Sequence, residues 1–147
     1  MIRQASSKDL DMVISLLKSV SLPSEDIHSH FNNYLVFELE GNIIGTIGME
    51  IYGATVLLRS LAVAEEFQKR GLGQKLYLKL LEEIQSMGIS EIYLLTETAE
   101  KFFKKQGFIS ISREAAPSQI KQSYEFSNLC PSTAVCMCMK LNGGYNF

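Results

Sequence analysis

The stretch that decides the fold is residues 59–75, RSLAVAEEFQKRGLGQK. An apolar segment ends there and a helix begins, with Gly71 and Gly73 in the loop between them. Apolar side chains then recur at helical spacing from Leu76 to Ile84, and Gly88 is placed to end the helix. The pattern predicts a strand, a glycine loop and an amphipathic helix.

The glycine loop has the features of an anion-binding site. A helix start offers unpaired backbone N–H groups and the positive end of the helix dipole, and glycines let a ligand approach closely. Lys69 and Arg70 add positive charge of the kind that a pyrophosphate requires. The spacing is neither that of a Walker loop nor that of a dinucleotide fingerprint. An exposed basic turn without a ligand is the alternative for the loop taken alone.

Periodicity predicts further elements on both sides of this unit. The first half is expected to hold a strand over 2–5, a helix capped by Ser6 or Ser7, a short helix over 25–31, and strands over 34–39, 43–51 and 55–64. The second half is expected to hold strands over 91–95, 108–112 and 133–141 and helices over 98–106 and 115–123.

The composition restricts the class of protein. With 147 residues, 46% of them hydrophobic, the chain is expected to form a single domain over residues 1–147. Acidic residues outnumber basic ones by 16 to 14, which disfavours a nucleic-acid-binding face. We expect a cytoplasmic protein without a membrane segment, because no apolar run resembles a signal or a span. The odd cysteine count of three fits reduced thiols.

A second motif follows downstream, Thr96-x-x-Ala99-x-x-Phe102-Phe103-x-x-x-Gly107-Phe108. Together with Leu61-Ala62-Val63 and the glycine loop, it resembles the GNAT acetyltransferase superfamily over most of the chain. The resemblance implies an α+β fold with a mixed, mostly antiparallel central sheet of about six to seven strands flanked by helices. It also implies acetyl-coenzyme A (acetyl-CoA) as co-substrate, a small-molecule amine as acceptor, and no metal.

The same resemblance assigns the cofactor contacts. The pantetheine arm is expected along Leu61, Ala62 and Val63. The pyrophosphate is expected on Gln68, Lys69, Arg70, Gly71, Leu72, Gly73, Gln74 and Lys75. The distal part of the cofactor is expected beside Thr96, Ala99, Phe102 and Phe103.

The second motif departs from the family pattern at two positions. Thr96 stands where many members carry Asn, which changes the reach of the side chain. Phe103 stands where many carry a Tyr that protonates the departing thiolate, and phenylalanine cannot do so. Because a thiol has a pKa of about 8.5, a thiolate can leave near neutral pH with little help.

Acyl transfer needs a proton acceptor, since an amine is mostly protonated at neutral pH. Strand alternation places Glu50 and Tyr52 on one face, and Glu50 is the first candidate for the base, directly or through water. An ordinary solvated glutamate is the alternative. A backbone N–H near Leu61 to Val63 would stabilise the tetrahedral intermediate. His28 and His30 are weaker candidates for the acceptor mouth.

Arg59 and Ser60 are expected to bind the acceptor, with Tyr52. An arginine can form a two-pronged pair with a carboxylate, which would suit an amino-acid substrate. A surface arginine at a strand edge is the alternative. Exposed strands near the C-terminal end are compatible with a homodimer.

The C-terminal segment narrows the resemblance. Residues 94–103 and 126–137 are similar to the arsenic-resistance N-acetyltransferases, which are related to the acetyltransferase domain of N-acetylglutamate synthases. This implies an acidic amino-acid acceptor, or a toxic analogue bearing arsenic or phosphorus, whose acids Arg59 would bind with Arg113 or Lys121. Cys130, Cys136 and Cys138 could bind a metalloid, although the last two are expected to pack on one face of the final strand. A non-catalytic acetyl-CoA or metalloid sensor is therefore the alternative function.

Overall fold

The computed structural model describes residues 1–129 and 133–141. In this part of the chain seven strands form one sheet, in the order β1-β2-β3-β4-β5-β7-β6. The strands are β1 (Ile2–Gln4), β2 (Tyr34–Leu39), β3 (Asn42–Tyr52), β4 (Thr55–Val63), β5 (Glu91–Thr96), β6 (Ile109–Ile111) and β7 (Val135–Lys140). The helices are α1 (Leu10–Ser19), α2 (Leu72–Ser86), α3 (Glu100–Lys105) and α4 (Ser118–Lys121). Short 3-10 turns cover Ser7–Asp9, Ile27–Asn33, Glu65–Phe67 and Arg113–Ala115, and a π-helical turn covers Glu125–Leu129.

The sheet is mixed, as expected. β1 pairs with β2, β2 with β3, β5 with β7 and β6 with β7, all antiparallel. β4 and β5 are parallel, with Thr55 opposite Glu91 and Leu57 opposite Tyr93. A parallel pair needs a crossover connection, and α2 lies in that connection. The expected α+β fold with a mostly antiparallel sheet is confirmed.

The contacts divide the chain into two compact units. The first holds residues 1–50 and 59–84. Its core is built where the apolar face of α1 meets β2, and Val13, Leu17, Tyr34 and Val36 are fully buried there. The second unit holds residues 51–58 and the described residues from 85 onward. The single-domain organisation stays a prediction.

The second unit has a core of its own. Leu57, Tyr93 and Ile120 pack there with Cys136 and Cys138 of β7. Strand alternation explains the cysteines, since positions two apart share one face of β7. The expectation that these two thiols are packing residues is confirmed.

Several expected boundaries were wrong for identifiable reasons. The segment expected as a helix over 25–31 is a 3-10 turn at Ile27–Asn33 that runs directly into β2. The helix expected over 115–123 is broken by Pro117, which lacks an N–H and is extended, so α4 begins only at Ser118. The expectations for Cys130 and for the tail at 142–147 fall outside the described residues. Across the described residues no helix is long and apolar enough to cross a bilayer.

Candidate active site

The glycine loop contains two residues with left-handed backbone conformation. Lys69 has a φ of 66° and Gly71 a φ of 79°, so the backbone turns left-handed twice immediately before α2. The amide of Lys75 donates to the carbonyl of Gly71 (3.1 Å), which closes the first turn of the helix. A Cβ placed on Gly71 would meet nothing within 4 Å, so the loop is open on that side.

Side-chain contacts hold the loop against the end of β4. Gln68 Nε2 donates to the carbonyl of Val63 (2.9 Å), and the guanidinium of Arg70 lies 5.4 Å from the ring centre of Phe67. Lys69 and Lys75 are exposed, and the first turn of α2 carries no acidic residue. The loop therefore presents positive charge to solvent without a competing carboxylate in that turn.

These observations fit a pyrophosphate. The first four N–H groups of a helix lack intrahelical acceptors. Here they follow a loop that has open space beside Gly71. The predicted residues Gln68 to Lys75 are thereby brought together at one helix start. Acetyl-CoA would supply a thioester, which is an activated acyl group, and this loop would hold its phosphates.

β4 is bent immediately before the predicted pantetheine segment. Ser60 has a φ of 61°, a region that non-glycine residues seldom occupy. Its hydroxyl lies 2.7 Å from the hydroxyl of Tyr34, the first residue of β2. Gly48 faces Tyr34 across the β2–β3 pair, and a Cβ there would collide with the ring. The lack of a side chain at Gly48 thus leaves room for the tyrosine that contacts the bend. Beyond the bend, Ala62 is buried, and its neighbours on either side are half-buried.

The acceptor-side prediction centres on Arg59, and the structure gives it two carboxylate partners. Arg59 Nη1 donates to Asp26 Oδ2 (2.8 Å) and Nη2 donates to Asp26 Oδ1 (2.8 Å). Nη1 also donates to Glu50 Oε2 (2.6 Å). The side chains of Arg59 and Glu50 are 0% and 1% exposed. Both solvated alternatives, a surface arginine and an ordinary strand glutamate, are therefore wrong.

His30 joins this cluster from the 3-10 turn. Its Nε2 lies 3.6 Å from Glu50 Oε1, and its side chain is 29% exposed. His30 is thus the more exposed member of the pair, while Glu50 is enclosed. The cluster of Asp26, His30, Glu50 and Arg59 lies entirely in the first unit. Asp26 was missed in the sequence, because nothing in its local pattern reports a partner 33 residues away.

The remaining predicted residues belong to the second unit. Thr96 Oγ1 accepts a hydrogen bond from the amide of Ala99 (2.9 Å), so its hydroxyl shapes the turn before α3. Phe103 is buried, and its ring packs edge-on against Phe102 and Phe108, at centroid distances of 5.0 and 5.3 Å. Tyr52 packs beside the core of this unit. Cofactor or acceptor contacts for these residues stay predictions.

Arg113 and Lys121 make backbone contacts in the second unit. Arg113 Nη2 donates to the carbonyl of Ala134 (3.2 Å), and Lys121 Nζ donates to the carbonyl of Glu114 (3.3 Å). The acceptor role predicted for either residue is not tested by these contacts.

Burial disfavours the thiolate form of the two cysteines in β7. Burial raises the pKa of Cys136 to about 11 and also raises the pKa of Cys138, which disfavours the thiolate. Within residues 1–129 and 133–141 no three His, Cys, Asp or Glu side chains are grouped as metal ligands. The proposed three-thiolate site also required Cys130, which lies outside the described residues.

Comparison with known proteins identifies the class. The sequence profile of the Acetyltransferase (GNAT) family matches residues 10–108. The chain is 31% identical over 113 residues to an uncharacterised N-acetyltransferase of Chlorobaculum tepidum, which covers 76% of this chain and 70% of that protein. The chain therefore belongs to the GNAT family of acetyltransferases. The expected class, an acetyl-CoA-dependent N-acetyltransferase, is confirmed.

Longer relatives carry names that point to amino acids. An amino-acid acetyltransferase of Neisseria meningitidis is 23% identical over 132 residues, covering 84% of this chain and 30% of that protein. The fold is similar to that of an N-acetylglutamate synthase from Neisseria gonorrhoeae, solved with coenzyme A and N-acetyl-glutamate. The TM-score is 0.82 and the sequence identity is 21%. The match covers 96% of this chain and 35% of that one. The chain spans about a third of the length of these two relatives.

Proposed function

We propose that this chain transfers acetyl from acetyl-CoA to the α-amino group of a small acidic amino acid. Glutamate, or an analogue bearing arsenic or phosphorus in its side chain, is the proposed acceptor. The observation that supports it best is the guanidinium of Arg59, which holds a carboxylate with two prongs one residue before the bend at Ser60. Such a fork matches the carboxylate that every free amino acid carries.

In the proposed mechanism the chain's own groups have distinct tasks. The glycine loop binds the phosphates, and a backbone N–H near Leu61 to Val63 stabilises the oxyanion. Glu50 takes the amine proton, directly or through a water molecule, while Arg59 holds the carboxylate of the acceptor. No side chain is assigned as general acid, because Phe103 has no proton to give.

The test is acceptor-dependent release of coenzyme A, followed with a thiol reagent, across free amino acids, glutamate analogues, polyamines and short peptides. A blank without acceptor corrects for the protein's own thiols. We expect release with acidic amino acids and little with polyamines. Release only with peptides or polyamines would contradict the proposed acceptor.

Arg59→Lys keeps the charge but removes the fork, so the KM for the acceptor should rise while coenzyme A affinity stays the same. Arg3→Lys is the matched control, because Arg3 also forks onto an aspartate, Asp9, from β1. An unchanged KM for the acceptor in Arg59→Lys would show that Arg59 does not bind the acceptor.

The same assay distinguishes the alternative drawn from the missing tyrosine at Phe103, a non-catalytic acetyl-CoA sensor. Such a protein would bind coenzyme A tightly and show no acceptor-dependent release across the whole panel. Tight binding of coenzyme A without release for any acceptor in the panel would therefore support the sensor.

A further inference from the structure

The place that an acceptor carboxylate would take on Arg59 is held by Asp26. Both terminal nitrogens of Arg59 point at the two oxygens of Asp26, each at 2.8 Å. Nη1 is also bonded to Glu50 at 2.6 Å. This is the bidentate geometry in which an arginine holds the carboxylate of a free amino acid.

The charges on Asp26, Glu50 and Arg59 disfavour a third carboxylate beside the first two. One guanidinium already faces the carboxylates of Asp26 and Glu50, in a place where the arginine side chain is 0% exposed. Adding an acceptor carboxylate would bring a third negative charge to a poorly hydrated site, which is costly. Replacing one carboxylate by another leaves both the charge and the hydrogen bonds unchanged.

Of the two carboxylates, Asp26 is the one that can leave. Its side chain is 14% exposed, whereas that of Glu50 is 1% exposed. Asp26 lies at the start of the 3-10 turn, and the next residue, Ile27, is fully buried in the core of the first unit. The aspartate can therefore turn towards solvent while the following residue stays anchored.

We propose that Asp26 occupies the acceptor's carboxylate position on Arg59 and lowers the affinity for the acceptor, which must displace it. This inference rests on the proposed function. A ligand that carries a carboxylate can replace the two hydrogen bonds that Arg59 loses when Asp26 leaves. An amine without a carboxylate cannot replace this pair, so it binds with Asp26 still on Arg59.

The test compares Asp26→Ala, which vacates the position, with Asp26→Asn, which keeps the shape and removes the charge, and with Asp26→Glu, which keeps a carboxylate. Binding of glutamate and of glutamic acid diamide is measured by titration calorimetry with coenzyme A present. If the open state is about one tenth populated, Asp26→Ala should bind glutamate about tenfold more tightly than the natural chain. The diamide should bind equally to both.

Two further results should accompany the change. Acetate should compete with glutamate in Asp26→Ala and not in the natural chain, and Asp26→Glu should bind glutamate less tightly than Asp26→Ala does. Asp9→Asn is the matched control, since Asp9 pairs in the same two-pronged way with Arg3. That control should leave glutamate affinity unchanged.

Equal or weaker glutamate binding in both Asp26→Ala and Asp26→Asn, with the variants folded, would overturn the proposal. Coenzyme A release is measured in the same samples. Tighter glutamate binding without release would reject acetyl transfer and keep the Asp26 assignment. Coenzyme A release without tighter glutamate binding would support acetyl transfer and reject the role proposed for Asp26.

Discussion

The hydroxyl of Tyr34 lies 2.7 Å from that of Ser60, and this contact joins the start of β2 to the bend in β4. Ser60 has a φ of 61° and directly precedes the predicted pantetheine segment. A strained backbone persists only where its surroundings hold it, and Tyr34 is fully buried. The hydrogen bond therefore helps to set the direction of Leu61 to Val63.

Tyr34→Phe should lower the free energy of unfolding by about 1 kcal/mol and should also lower kcat, because it removes one restraint on the bend. Tyr93→Phe is the control, since Tyr93 donates to Glu91 (2.9 Å) in the second unit. Urea unfolding and initial rates measure both variants. An equal fall in kcat for the two variants would show that the Tyr34 contact has no special role.

Gly71→Glu should weaken coenzyme A binding by more than tenfold, since it adds negative charge at the helix start that is proposed to hold phosphate. Gly41→Glu is the control. Gly41 also has a positive φ, 82°, and open space for a side chain, so the backbone strain is matched. Coenzyme A affinity is measured by calorimetry. Equal losses of coenzyme A affinity in the two variants would show that the loop at Gly71 does not bind the phosphates.

Glu50→Gln should lower kcat by about a hundredfold or more if Glu50 is the base, with little change in coenzyme A affinity. Glu38→Gln is the control, because Glu38 also accepts a hydrogen bond from an arginine, Arg3, at 2.7 Å. The pH dependence of kcat/KM is the decisive measurement. A profile that stays the same in Glu50→Gln would exclude this residue as base.

Asp9→Asn should destabilise the folded chain in a pH-dependent way. Hydrogen bonds from Arg3 lower the pKa of Asp9 from 3.8 to about 2. A carboxylate with a lowered folded-state pKa stabilises the folded state above its unfolded pKa and loses this effect as the pH falls towards its folded pKa. Because Arg3 is partly exposed, we expect a loss of about 1–2 kcal/mol at pH 7.

The difference in the free energy of unfolding between the natural chain and Asp9→Asn should shrink as the pH falls below about 4 and should be mostly lost by about pH 2. Urea unfolding at pH 7, 5, 3 and 2 measures it. A difference that stays constant with pH would show that the ion pair is not its source.

Much of the fold could be predicted from local pattern. The turn at Gly71, the helix after it and the two cysteines on one face of β7 each depend on residues close together in the chain. Helix and strand periodicity report such features directly. The short turn at Ile27–Asn33 was mistaken for a helix, since a segment of this length has too few repeats to show its period.

The sequence by itself determined the class of protein and the place of the glycine loop that is proposed to hold the phosphates, because this loop and the helix that follow β4 are contiguous. Only the tertiary structure decided the surroundings of Arg59. Asp26 and Glu50 meet it from segments 33 and 9 residues away. The partner of a buried carboxylate depends on tertiary packing, which the spacing of residues along the chain does not predict.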